Sequence, residues 1–156
     1  MTSNEVYALA KQFAPARNFD PLLITALCEQ ESSYSTTAIR LENGFLRKYL
    51  LKTSHHPIVK ALFATSFGLT QMMGQSLREV GYITNPSDLN GTIAQIATYI
   101  DSPAFQVDWG IRWLDIKRKH AGDDPSQYLL AWNGGSDDTY DDKVLDRMER
   151  LKKELL

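Results

Sequence analysis

Only one cysteine stands in the chain, Cys28, so no internal disulfide can form and the fold does not depend on an oxidising compartment. A basic excess is missing too. Seventeen Lys and Arg against nineteen Asp and Glu leave a net charge of −2, which offers no electrostatic footprint for nucleic acid. No apolar run approaches the roughly 20 residues of a spanning helix, so membrane insertion is not expected. Met1 to Ala10 lacks the basic stretch and apolar segment of a secretory signal. No segment shows the alternation of a convincing strand, and there is no repeat, low-complexity tract or linker. At 156 residues the chain reads as one domain, 1–156.

What the chain does have is helical periodicity nearly throughout, and the expected class is mainly α with little or no β-structure. Asn4 to Phe13 reads as a first helix with Val6, Leu9, Ala10 and Phe13 on one face. Asp20-Pro21 is an N-cap followed by proline at the first helical position, opening a helix to about Ser33. Glu42 to Leu51 and a stretch from His56-Pro57 are weaker helical candidates. Gly68 to Gly81 reads as a helix opening on a glycine turn. Asn90 to Tyr99 and Ala104 to His120 follow. Asp124-Pro125 starts a helix that stops at Gly134-Gly135, and Thr139 to Leu155 carries a stripe of Val144, Met148, Leu151 and Leu155.

The most informative stretch is Leu22 to Tyr34, LLITALCEQESSY. A carboxyl near the end of an apolar helix is desolvated, which favours its neutral form. A general acid for glycoside cleavage needs that property, because it must hold a proton near neutral pH. Glu29 and Glu31 lie two positions apart and so point to different helix faces. Glu31 stands where the helix ends and a cleft could open, while Glu29 reads as solvated. The competing reading makes Glu31 an ordinary surface residue near a helix end.

Other segments decide between these readings. Glu31-Ser32-Ser33 resembles the Glu-Ser motif of soluble lytic transglycosylases and goose-type lysozymes. Ser66-Phe67-Gly68-Leu69-Thr70-Gln71-Met72 is similar to their Gly-Leu-Met-Gln-Ile segment. Leu129 to Gly135, LLAWNGG, resembles Ala-Ala-Tyr-Asn-Ala-Gly, and Tyr140-Asp141-Asp142-Lys143-Val144-Leu145 resembles the start of the family's final helix. Asp20-Pro21 and Val107 to Leu114 match further positions, in order, over about residues 20 to 148. The resemblance implies a lysozyme-like helical fold, Glu31 as catalytic acid/base, and substrate contacts from Gly68, Leu69, Gln71, Trp132, Asn133 and Tyr140. Gln71 would contact sugar or support Glu31. The plainer readings are a helix start for Gly68, a solvated face for Gln71, and a helix C-cap for Asn133-Gly134-Gly135.

The chain departs from the family pattern in places. Trp132 replaces a tyrosine, keeping an aromatic face but losing the hydroxyl that could bond Glu31 or substrate. Arg40 stands where many relatives have serine. Residues 41 to 65 form a longer insertion, read as cleft wall.

The resemblance also implies the reaction: cleavage of the MurNAc-GlcNAc β-1,4 bond of peptidoglycan with formation of 1,6-anhydro-MurNAc, using no metal and no cofactor. Glycan strands are then the partner and the cell wall the place of action, reached through a phage virion, a phage lysin or a non-classical export machinery. Goose-type lysozymes often carry an aspartate where this chain has Met73, which favours transfer over hydrolysis. Glu42 is the candidate second carboxylate for hydrolysis, against its plainer reading as an ion pair with Arg40 or a charge at a helix N-terminus.

His55-His56 and His120 lack metal-ligand spacing, and Asp137, Asp138, Asp141 and Asp142 do not form a calcium loop. Trp109 and Trp113, one turn apart, read as core rather than as sugar platforms. The competing class is a non-catalytic virion or structural protein on the same frame.

Overall fold

The computed structural model describes all of residues 1–156. Helix α1 (Ser3–Phe13) begins with a capping box, in which Thr2 and Glu5 satisfy each other's backbone N–H groups. Helix α2 (Pro21–Ser32) is capped by Asp20, whose carboxylate accepts from the Leu22 N–H at 2.8 Å. Seven consecutive residues of α2, Leu22 to Cys28, are buried. A helix apolar all round belongs in the middle of a bundle. It packs there against α1 and against the last helix, α9 (Tyr140–Leu155).

Between them the chain forms strand β1 (Ile39–Leu41), α3 (Asn43–Phe45), a π-helical turn (Leu46–Leu50), α4 (Pro57–Phe63), β2 (Thr65–Phe67), β3 (Met72–Met73) and α5 (Gly74–Glu79). Helices α6 (Leu89–Asp101), α7 (Pro103–Ala121) and α8 (Pro125–Trp132) follow. The Asp124-Pro125 signal holds, with Asp124 accepting from the Ser126 N–H at 3.1 Å.

The mainly α class with little β-structure holds, the β-structure being one small three-stranded antiparallel sheet, order β1-β2-β3. Its strands are too short to show alternation, and β2 is buried along its whole length. One expectation is corrected: residues 68 to 81 are not one helix. Gly68 to Gln71 make a turn into β3, and a helix appears only from Gly74 to Glu79.

Burial divides into two cores. The larger gathers α1, α2, α7, α8 and α9 around Leu23, Leu27, Ile111 and Leu129. The smaller gathers α4, the sheet, α5 and α6 around Phe63, Met72, Leu77 and Tyr99. Each such side chain contributes about 1.5–3 kcal/mol of burial free energy. Trp132 packs against both cores, at the seam where the cleft opens.

The turn Gly68–Gln71 joins the two halves through α7. Fully buried Gln106 accepts from the Leu69 N–H at 2.8 Å and donates to the Thr36 and Ile100 carbonyls at 3.1 and 2.8 Å. The Thr70 hydroxyl lies 3.1 Å from the Gln106 carbonyl oxygen, to which it donates. Gly110 leaves room for this, since a Cβ there would meet the Thr70 side chain at 2.6 Å. A buried amide with all its bonds made locks one arrangement of backbone, because each unmade bond would cost about 1–3 kcal/mol.

Candidate active site

The last turn of α2 carries Glu31, and the chain leaves the helix through two left-handed residues, Ser33 (φ 50°) and Tyr34 (φ 65°). Such turns are rare without glycine, and here they swing the backbone off the helix end so that the Glu31 carboxyl faces open space. Ser32 fixes that end, its hydroxyl donating to the Leu69 carbonyl at 2.9 Å. The helix terminus is thereby tied to the Gly68–Gln71 turn.

Glu29 and Glu31 do occupy different environments, although Glu29 is not solvated as expected. It pairs with Arg147 (3.3 Å) and with Arg150, clamping α2 to α9. Its arginine partners lie more than a hundred residues away in sequence, so no local pattern announces them.

Glu31 lies in a cleft of about 510 Å³ whose walls come from both cores. Its Oε1 accepts from the Trp132 indole N–H at 2.9 Å and from the Tyr140 hydroxyl. With both donors on one oxygen, Oε2 has no protein partner and is left to the cleft. The loss expected at Trp132 therefore does not occur: the indole N–H supplies the hydrogen bond to the carboxylate that a tyrosine hydroxyl would make. Burial holds the Glu31 carboxyl above the ordinary carboxylate range. The Tyr140 and Trp132 donors and the Arg40 charge oppose this, and the Glu42 charge adds to it. Burial, reinforced by the Glu31 charge, raises the Tyr140 hydroxyl, which keeps it a donor.

The remaining sequence candidates fall into separate places. Gln71, Trp132 and Asn133 line the cleft. Gln71 holds a left-handed backbone (φ 48°) while its amide donates to the Ala38 and Gly68 carbonyls at 3.1 and 3.0 Å, so it braces the β1 side of the cleft and makes no bond to Glu31. Asn133 is the C-cap of α8, and its side chain bonds Ser136 and the Asp137 carbonyl while lining the cleft. Leu69 is fully buried in the larger core and Tyr140 nearly so, and neither they nor Gly68 line the cleft.

Glu42 lines the same cleft, but Arg40 Nε donates to its Oε1 at 2.5 Å. The ion-pair reading of Glu42 is the observed one. The insertion does form cleft wall, through Glu42, Gly44 and Phe45. Trp113 departs from expectation: it packs on the smaller core and also lines the cleft, with Lys117 Nζ 4.4 Å from its ring. Its helical spacing with Trp109 is compatible with either role, so only the neighbouring elements separate them. Gln106 was missed outright, since nothing in the sequence marks a glutamine as buried.

No group of three or more His, Cys, Asp or Glu is placed to hold a metal ion. His56 instead caps α4, its Nδ1 accepting from the Ile58 N–H at 3.2 Å. The Asp137 carboxylate is pulled down to about 2, first by Lys143 and then by Thr139.

The arrangement makes a checkable statement about ionisation. Tyr140→Phe removes a donor that favours the carboxylate, so the Glu31 midpoint moves to higher pH. Carbon-13 NMR of the Glu31 carboxyl would follow it, and a midpoint that moved down or stayed would contradict the geometry.

What the arrangement can do is hold one proton on a desolvated carboxyl and present it, on Oε2, to a ligand in the cleft. Residues 8–154 match the family model described as Transglycosylase SLT domain. No curated protein and no solved structure matches the chain.

Proposed function

Since this chain belongs to the transglycosylase SLT domain family, whose members cleave peptidoglycan, we propose that Glu31 alone carries the proton transfers and that the product is an anhydro sugar. One observation supports this above the others: a single desolvated carboxyl faces the cleft with one oxygen free, while of the two other cleft carboxyls Glu42 is held by Arg40 and Glu79 accepts from Gln75 Nε2 at 2.8 Å.

In this reading Glu31 Oε2 gives its proton to the oxygen linking MurNAc to GlcNAc. The bond from that oxygen to C1 of MurNAc breaks, and the N-acetyl carbonyl oxygen of the same sugar shares the developing positive charge. The Glu31 carboxylate, steadied by Trp132 and Tyr140, then takes the proton of the C6 hydroxyl. O6 bonds to C1, closing the 1,6-anhydro ring and returning Glu31 to its starting state. One group serves as acid and then as base, which suits a pKa raised toward the working pH. Gln71, Trp132 and Asn133 are the wall residues proposed to contact sugar, and Trp113 adds an aromatic face not foreseen.

Hydrolysis requires a group that activates water. Met73 cannot serve, Glu42 would have to leave Arg40, and Glu79, the third carboxyl of the cleft, is bonded to Gln75. Digestion of purified peptidoglycan followed by mass spectrometry of the released muropeptides separates the outcomes. Anhydro ends are expected from the wild type, and Glu42→Gln should give the same product within a few-fold of its rate. Reducing ends that disappear in Glu42→Gln would replace transfer by hydrolysis. No release from any wall type would leave a binding protein on this frame.

A further inference from the structure

The net charge conceals an uneven distribution. Residues 43–78 carry five of the seventeen cations, Arg47, Lys48, Lys52, Lys60 and Arg78, and none of the nineteen acids. This stretch is a cationic lobe on an otherwise acidic protein. It also leaves apolar side chains in solvent: three of the nine large exposed ones, Tyr49, Leu51 and Ile58, lie within it.

Cations and apolar groups interleave within the lobe. Lys48 Nζ lies 5.0 Å from the centre of the Tyr49 ring. Lys60 Nζ donates to the Leu51 carbonyl at 3.0 Å, which brings α4 and its Ile58 beside the turn that holds Leu51 and Lys52. None of the ten ion pairs in the molecule uses Lys48, Lys52 or Lys60, so their charge is not neutralised within the protein. Neither cavity includes Tyr49, Leu51 or Ile58, so these residues line no groove for a helix or a sugar chain.

We propose that this lobe docks the protein peripherally on an anionic phospholipid surface. Tyr49, Leu51 and Ile58 sit among the headgroups, and Lys48, Lys52 and Lys60 lie on the lipid phosphates. A polyanion in solution would require the cations but not exposed leucine and isoleucine. An uncharged interface would require the apolar groups but not the lysines. The combination fits a charged bilayer boundary, where lysine stems lie along apolar surface and the ammonium groups reach the phosphates. Other residues of the same stretch, Gly44 and Phe45, line the cleft, so docking would hold the cleft close to the membrane.

Co-sedimentation of the whole protein with vesicles tests this, using phosphatidylcholine alone and phosphatidylcholine with phosphatidylglycerol in equal parts. Binding is expected only to the anionic vesicles, and it should weaken as salt is raised. The triple variant Lys48→Gln, Lys52→Gln, Lys60→Gln should bind about 100-fold more weakly, at about fivefold per lysine. Leu51→Ser with Ile58→Ser should lower binding at least about tenfold with every lysine in place. Both variants should keep the wild-type melting transition and the wild-type rate on soluble glycan fragments, which separates failure here from failure of the catalytic reading. Equal binding to neutral vesicles, or none to either kind, overturns the proposal. So does retention on purified teichoic acid that ignores the Leu51 and Ile58 changes, because that identifies a wall polymer as the partner.

Discussion

Glu31→Gln should abolish muropeptide release, an expected fall of about 10³-fold or more, with the protein still folded. Glutamine keeps the size of the side chain, and its Oε1 can accept from both Trp132 and Tyr140 as the carboxylate does. Only the transferable proton is lost. General acid–base catalysis is typically worth about 10²–10⁴-fold, and here one group would perform both transfers, which places the loss toward the upper end. Release assays with mass spectrometry measure it. Residual activity within tenfold of wild type would remove Glu31 from the chemistry.

The same substitution has a signature in stability with the opposite sign. Burial raises the Glu31 pKa in the folded protein above its unfolded value, so the folded state binds more protons across that interval. The stabilising contribution of the protonated carboxyl is complete below about pH 4, near the unfolded carboxylate value, and is lost as pH rises through the folded one. Glutamine never ionises. Glu31→Gln should therefore melt higher than wild type at neutral pH, with the difference closing at acidic pH. Thermal melts across the pH range measure this, and a variant less stable than wild type at neutral pH would contradict the desolvated carboxyl.

The second large effect is on stability alone. Gly68→Ala should lower stability by about 3–5 kcal/mol, a substantial part of the 5–15 kcal/mol typical of a domain. Two causes add. The backbone at Gly68 has φ +68°, where an L side chain costs about 1–2 kcal/mol. The new Cβ would also stand 2.2 Å from Gln106 Oε1. Gln106 is fully buried, so moving it strands the Leu69 N–H and the Thr36 and Ile100 carbonyls, at about 1–3 kcal/mol for such a group. At 2–4 °C per kcal/mol for a chain of this size, the melting temperature should drop by roughly 10 °C. Gly81→Ala is the internal comparison. Gly81 also has positive φ (87°), but nothing lies within 4 Å of its missing Cβ, so only the backbone cost should appear. Equal melting shifts in the two variants would show that the crowding at Gln106 has no energetic weight.

Much of the fold is legible in the sequence because it is local. Asp20-Pro21 and Asp124-Pro125 open helices, and the apolar stripe of residues 144 to 155 is a helix face. These follow from capping chemistry and periodicity within one segment, which residue order states directly. The ordered motifs that placed the chain in its family are of the same kind. What tertiary structure alone decided is which distant groups meet. The eight strand residues pair in a sheet although none shows alternation, because their ladder partners come from other segments. Gly68 to Gln71 form a turn and not a helix, because Gly68 and Gln71 take left-handed backbone and Met72 and Met73 pair with β2. Glu29 became a clamp because α9 brings Arg147 and Arg150 to it. Glu31 gained its two donors because Trp132 and Tyr140, 101 and 109 residues onward, converge on one oxygen. The ordered motifs single out Glu31; folding supplies what buries it and what holds it, since a hydrogen bond forms between positions in space and residue order does not encode their separation.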